Sequence, residues 1–430
     1  MTTDQTFSIR FGDTIQEVAL PAGVEGVLVE PRTASVTGSG EEILRRALQS
    51  PIDSPPLCEL AKGKKTAAIM VPGQDRVAAA ETYLPMLLDE LNAGGIPDSG
   101  ITVYLATGTH AKHTPEQIKR VMGSEASRRV PCREHRCKDS TALRNVGSTS
   151  RGNAVRFNTA VIDADVKFLT GRIIPHYFAG FGGGRKALLP GVSAFETIEF
   201  NHALTLAPET GVNPETHACR LADNPVHLDM VESARLMPGP KFVLNTILDT
   251  EHRIIGAVTG ELEASHLTGC EQVRNLFSIP TSRPFDGAIA CAGGAPYDCN
   301  FMQAIKALFD VRDAVRPGGP MLAVAQCPMG IKPGFLEWAA IEDDAELNRA
   351  VRADYNLTGH NSILIRELVR SMRIALWSDL PDDAIKSMGI EPVNSLQAGL
   401  DWLGDALPQR SRCAVVPFAN VTHAFHQERP

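Results

Sequence analysis

From about residue 64 onward, short and almost wholly apolar runs alternate with longer stretches whose apolar positions recur at helical spacing. TAAIMV at 66–71 predicts a buried strand. The stretch at 76–95 predicts a helix that stops at Gly94 and Gly95. ITVYLA at 101–106 is the next expected strand, and VKFLT at 166–170 a third. TPEQIKRVMG at 114–123 opens a helix, with Thr114 as its N-cap and Pro115 in first position. A second block begins near Phe285. Strands are expected at 286–292, 320–326, 373–379 and 413–418, and a helix at 300–315 with Asn300 as its cap. The segment 260–279 reads as a helix joining the blocks. The first sixty residues lean towards β without a clear assignment.

Strands that alternate with helices form parallel sheets flanked by helices. The expected architecture is α/β, with an N-terminal domain over 1–260, a helical linker over 261–280 and a C-terminal α/β domain over 281–430. An active site is expected in the cleft between the domains. Composition narrows the field. The charge balance is 42 − 50 = −8, which argues against nucleic acid or an anionic membrane as the main partner. No apolar run approaches the ~20 residues of a membrane span. The first residues lack the basic-then-apolar pattern of a secretory signal. Nine cysteines without framework spacing read as reduced thiols, so a cytoplasmic location is expected.

In parallel α/β sheets, ligands bind at the carboxyl ends of strands. The loops expected there carry a consistent chemistry. PGQDR holds Asp75 and Arg76; TGTH holds Thr107, Thr109 and His110. The loop after the third strand holds His176, then Gly182, Gly183 and Gly184, then Lys186. Gln303 and Lys306, three apart, share one face of the helix at 300–315. Taken singly, a loop histidine is a surface polar residue and a glycine run serves backbone geometry. Their coincidence at strand ends points to a cleft for a small organic anion. A Walker-type phosphate loop is excluded, because Arg185 precedes the lysine and Ala187 follows it. No dinucleotide fingerprint follows a strand. CREHRC at 132–137 lacks a second ligand pair for zinc. HAFH at 423–426 reads as a frayed tail.

ATGTH (106–110), PHYFAGFGGGRKALLPGVSAFETI (175–198), the NH pair at 201–202, and the Gln303/Lys306 pair together resemble the lactate racemase family. The resemblance covers most of the chain. It implies a 2-hydroxy acid racemase or epimerase that uses a nickel-pincer nucleotide to move a hydride. It also implies partner proteins that build the cofactor and insert nickel. By resemblance, Lys186 is the covalent tether and His202 the nickel ligand. His110 and His176 exchange the hydroxyl proton, and Arg76, Gln303 and Lys306 hold substrate. Asp75, Thr107, Thr109 and the three glycines lie along the cofactor. Two departures put lactate itself in doubt: THAKH follows where the family shows THRP, and His360 aligns with a pocket tryptophan. His360 and Asn361 suggest a longer or more oxygenated 2-hydroxy acid; the plainer reading has this segment capping a helix. The rival readings are a nicotinamide-dependent 2-hydroxy acid dehydrogenase and a non-catalytic binding protein for an organic anion.

Overall fold

The computed structural model describes residues 6–74 and 76–426. Among these, two six-stranded sheets organise the chain. The first runs in the order Ile254–Gly260, Lys241–Leu248, Val166–Arg172, Ala67–Val71, Ile101–Leu105, Cys132–Glu134. All its neighbours pair in parallel except Lys241–Leu248 with Ile254–Gly260, which are antiparallel. Ala67–Val71 and Val166–Arg172 are buried along their whole length. That is the expected state of parallel strands covered on both faces.

The second sheet is parallel throughout, in the order Glu391–Val393, Arg373–Trp377, Pro320–Val324, Gly287–Cys291, Arg412–Val416, Glu25–Leu28. Its last strand corrects the expected division of the chain. Glu25–Leu28 pairs with Arg412–Val416, so this early segment joins the C-terminal sheet rather than a domain spanning 1–260. The hairpin Thr6–Phe11/Thr14–Ala19 leads into it, and Phe7, Ile9 and Val18 pack on the same side of that sheet as Leu322 and Val415.

The helix at Leu262–Phe277 forms as expected between the sheets. It packs along the antiparallel pair of the first sheet, so it is part of that layer rather than a free linker. The helix expected from residue 76 begins only at Ala80, because Ala79 takes a left-handed φ of 55°. The chain is therefore not helical at 76–79, where the loop can face a ligand. Thr114 caps its helix as expected, with Gln117 closing a reciprocal capping box. The segment at 300–315 is capped by Asn300 but divides at Ile305 into Phe301–Ala304 and Lys306–Val311. HAFH is no frayed tail. His423–His426 pairs in parallel with Ser278–Thr281, and His423 is buried.

Candidate active site

Because Ala67–Val71, Ile101–Leu105 and Val166–Arg172 run parallel, the loops that follow them gather at one edge of the first sheet. Residues 296–310 and Asn420, which follow strands of the second sheet, face the same space. Between them lies a cavity of about 230 Å³. Arg76, Thr107, Thr109, His110, His176, Gly182, Gly183, Lys186, His202, Gln303 and Lys306 all line it. Asp75 lies outside the described residues. Gly184 and His360 do not line the cavity.

Gly183 and Gly184 have φ of +74° and +52°, a region that costs a side chain about 1–2 kcal/mol. Space is also short. A Cβ on Gly183 would meet Asn245 Oδ1 at 2.6 Å, and one on Gly184 would meet the His266 ring at 2.8 Å. Asn245 Oδ1 accepts a bond from the Gly184 N–H at 2.9 Å. The glycines thus press the loop against Lys241–Leu248 and Leu262–Phe277, and the turn that follows delivers Lys186 to the cavity. Lys186 is held well below its ordinary proton affinity, by burial first and then by the charges of Arg185, Arg76 and Lys306. Its Nζ lies 5.7 Å from the Phe178 ring centroid.

The two loop histidines differ. An arginine only donates, so the Arg76 Nη2 contact at 3.3 Å makes His110 Nε2 an acceptor. At His176, Nδ1 accepts the Ala179 N–H at 3.3 Å, which puts the ring proton of the neutral form on Nε2. Burial, then Lys186, Lys306, Arg76 and His202, pushes the His176 proton affinity well down. His202 sits in the helix Phe195–Ala203 with its Nδ1 buried and without a hydrogen-bond partner. Burial, followed by His360 and Lys186, pushes it down to about 3.

Lys306 Nζ donates to Gln303 Oε1 at 2.5 Å, so the division of the helix at Ile305 leaves this pair together. His360 stands behind the wall. It is 1% exposed, its ring lies 5.7 Å from Phe178, and its Nδ1 meets the Tyr355 hydroxyl at 3.0 Å. The expected substrate contact is thereby corrected to a supporting position, since Phe178 stands beside it and also packs on His202. Neither Asn361 nor Thr358 is the helix cap, which is Asn356.

Several groups were missed by sequence reasoning. Asp310 lines the cavity one helical turn beyond Lys306, is 2% exposed, and has its Oδ1 without a partner. Burial raises it well above the usual carboxyl range despite the opposing pull of Lys306. The i, i+4 spacing to Lys306 was the available signal. His113 accepts the Gln74 N–H at 3.2 Å through Nε2 and meets Glu134 through Nδ1 at 2.9 Å. It fastens the loop before Arg76 to the edge of the sheet. In the 132–137 segment, buried His135 meets the Ser193 carbonyl at 2.8 Å, and its own carbonyl accepts from Thr107. No group of three or more His, Cys, Asp or Glu suited to a metal occurs among the described residues.

Comparison with known proteins identifies relatives over most of the chain. A family model described as the lactate racemase N-terminal domain matches residues 11–213. The chain is 31% identical over 387 residues to the lactate racemase of Lactiplantibacillus plantarum, covering 88% of this chain and 89% of that one. It is 29% identical over 402 residues to the lactate racemase of Thermoanaerobacterium thermosaccharolyticum, covering 92% and 93%. The structure of the lactate racemase apoprotein from the latter organism matches with a TM-score of 0.89 at 27% identity, over 98% of this chain and all of that one. A Thermotoga maritima protein at 17% identity and a TM-score of 0.70 shares the fold. The chain belongs to the lactate racemase family and is an isomerase of the racemase type.

Proposed function

We propose that the chain inverts C2 of a 2-hydroxy acid, using a nickel-pincer nucleotide tethered to Lys186. The observation that carries this reading is the meeting of Lys186, His202, His110 and His176 on one cavity lined also by Arg76 and Lys306. The residues fit the cofactor. A lysine whose ammonium form is disfavoured by burial is a nucleophile suited to a covalent tether. Neutral imidazole is a nickel ligand, and His202 lines the cavity with its proton affinity pushed down to about 3. With no protein cluster of metal donors among the described residues, the remaining donors would belong to the cofactor. Gly182 and Gly183 leave bare backbone beside it. When bound, the cofactor supplies a hydride acceptor for C2, which avoids a carbanion next to a carboxylate.

The protein's part is binding and proton transfer. Arg76 offers a fork suited to the substrate carboxylate, and Lys306, with Gln303 attached, adds a second cation. His110, whose Nε2 is an acceptor, takes the hydroxyl proton from one enantiomer. His176, on the same cavity, returns a proton to the carbonyl oxygen from its imidazolium form when the opposite enantiomer forms, and is left as neutral imidazole. The reverse direction exchanges these roles.

The same reading favours a substrate larger and more oxygenated than lactate. Asp310 presents a buried carboxyl with an unpartnered Oδ1 to the cavity, and the Tyr177 hydroxyl in the wall donates to Asn361 Oδ1 at 3.4 Å. Lactate would leave such a carboxyl without a partner. The test is to produce the protein with the cofactor-building and nickel-inserting partners, measure its intact mass, and screen 2-hydroxy acids for inversion by chiral chromatography. The reading expects a mass increase on Lys186 and inversion of at least one acid beyond lactate. Absence of any inversion in protein that carries the adduct would overturn it.

A further inference from the structure

Arg185 is 1% exposed, and among the described residues no carboxylate pairs with it. Its guanidinium is spent on the loop instead. Nη2 donates to the Ala179 carbonyl at 2.9 Å, and Nη1 approaches the carbonyls of Gly182 and Gly183 at 3.3 and 3.4 Å. Nη1 also donates to His266 Nε2 at 2.7 Å. The same Nε2 lies 2.9 Å from the Gly182 carbonyl, so the His266 ring is held against the loop as well. Arg185 Nε has no partner. His227 stacks behind His266 at 6.3 Å. This is an expensive arrangement. A buried cation without a counter-ion weakens a fold, and an apolar side chain of similar volume serves stability as well or better. A loop that only needed filling would not call for it.

Arg185 and Lys186 occupy consecutive positions of one tight turn, Gly184–Ala187. Lys186 lines the cavity and Arg185 does not. We infer that Arg185 is a positioning residue for Lys186: it laces the carbonyls of the glycine loop into one geometry and, as a fixed buried charge, presents the neighbouring amine as a nucleophile. The inference rests on the reading of Lys186 as the attachment point. It adds a cause for that choice of lysine. Burial disfavours the ammonium form, and Arg185 is the first-ranked charge acting on it, ahead of Arg76 and Lys306. Among the described residues, the histidines that interact with Lys186, namely His176, His202 and His266, are all lowered by burial and do not supply a compensating anion. Arg185 itself is lowered only to about 10 by burial, so it remains charged at neutral pH.

The test uses the chain without cofactor and the probe acetic anhydride. The free amine attacks the anhydride carbonyl, an N–C bond forms, acetate leaves with the electron pair, and the amine proton passes to buffer. Labelling of each lysine is followed by peptide mass spectrometry between pH 6 and 11, with exposed Lys62 as internal reference. The inference expects a Lys186 labelling midpoint at least about two pH units below that of Lys62. Arg185→Gln should raise that midpoint by about one unit, and labelling at pH 7 should fall roughly tenfold. Arg185→Lys, which keeps the charge and loses the fork, should hold the midpoint low while blurring the loop, read as faster amide exchange at Gly183 and Gly184. Should Arg185→Gln fail to fold, the wild-type midpoint and Arg185→Lys still decide. A wild-type midpoint equal to that of Lys62, or one unmoved in folded Arg185→Gln, would overturn the inference. An unmodified Lys186 in protein made with the cofactor partners overturns the attachment reading instead, and the two failures are told apart because the midpoint is measured without cofactor.

Discussion

Gly183→Ala probes whether the loop's crowding is what delivers Lys186. The backbone at Gly183 has φ +74°, so alanine there costs about 1–2 kcal/mol in strain. The added Cβ would meet Asn245 Oδ1 at 2.6 Å and Ile173 Cγ1 at 2.9 Å. Asn245 is buried in Lys241–Leu248 and bonded to the Gly184 N–H at 2.9 Å, so it cannot swing away without orphaning that donor. Overpacking of this kind costs about 1–3 kcal/mol. The total is about 2–5 kcal/mol, or roughly 2–6 °C in melting temperature for a chain of this length. Gly152→Ala is the control. Its φ is +89° but nothing lies within 4 Å of its Cβ, so strain alone applies, at about 1–2 kcal/mol. Differential scanning calorimetry and intact mass of protein made with the cofactor partners give the two readouts. Gly183→Ala should lose more stability than Gly152→Ala and should carry less adduct on Lys186. Equal melting temperatures and equal loading in the two variants would refute the argument.

Asp310→Leu should lower kcat/KM for oxygenated 2-hydroxy acids by roughly 10- to 100-fold while changing that for lactate little, because only the former lose a buried hydrogen bond; equal losses on both would contradict the role. His202→Ala should lose nickel on dialysis while keeping the Lys186 adduct, measured by metal analysis beside intact mass, and retention of nickel would contradict the assignment. Buried His176, His202, His227, His266, His360 and His423 all have lowered proton affinities, about 3 for His202, His227 and His360 and about 4 for His423. Below the unfolded value near ~6.5 the unfolded chain binds more protons than the folded one, so stability is present above that pH and is lost as pH falls through it. Each histidine contributes about 1.4 kcal/mol per pH unit in that window. His135 and His252 are lowered as well, while Asp310, Glu199 and Glu367 are raised and act in the opposite sense, three groups against eight. Urea midpoints should fall steadily from pH 7.5 to 5, and a flat profile would contradict the burial described.

Strand ends and their loops were legible because parallel buried strands leave a local mark, a short apolar run with the loop chemistry immediately after it. That mark put Arg76, His110, His176 and Lys186 on one edge, and all four line the cavity. Pairings between distant segments left no such mark. Glu25–Leu28 beside Arg412–Val416, and His423–His426 beside Ser278–Thr281, join segments more than a hundred residues apart. His360 was judged from alignment within its own helix, yet its place is decided by Phe178 and Tyr355 around it. Asp310 and Arg185 escaped for a related reason. A carboxylate in a helix and an arginine in a loop read as solvated charges, and only the packed fold reveals that both are buried.

The central claim is that C2 is inverted by hydride movement, with His110 and His176 handling only the hydroxyl proton. A hydride held away from solvent does not exchange with water, whereas a proton on imidazole exchanges quickly. The decisive measurement is the fate of deuterium at C2 of an accepted 2-hydroxy acid, followed by mass spectrometry through full racemisation in ordinary water. The account predicts that the label stays on carbon. Complete washout would contradict it and make His110 and His176 bases acting on carbon.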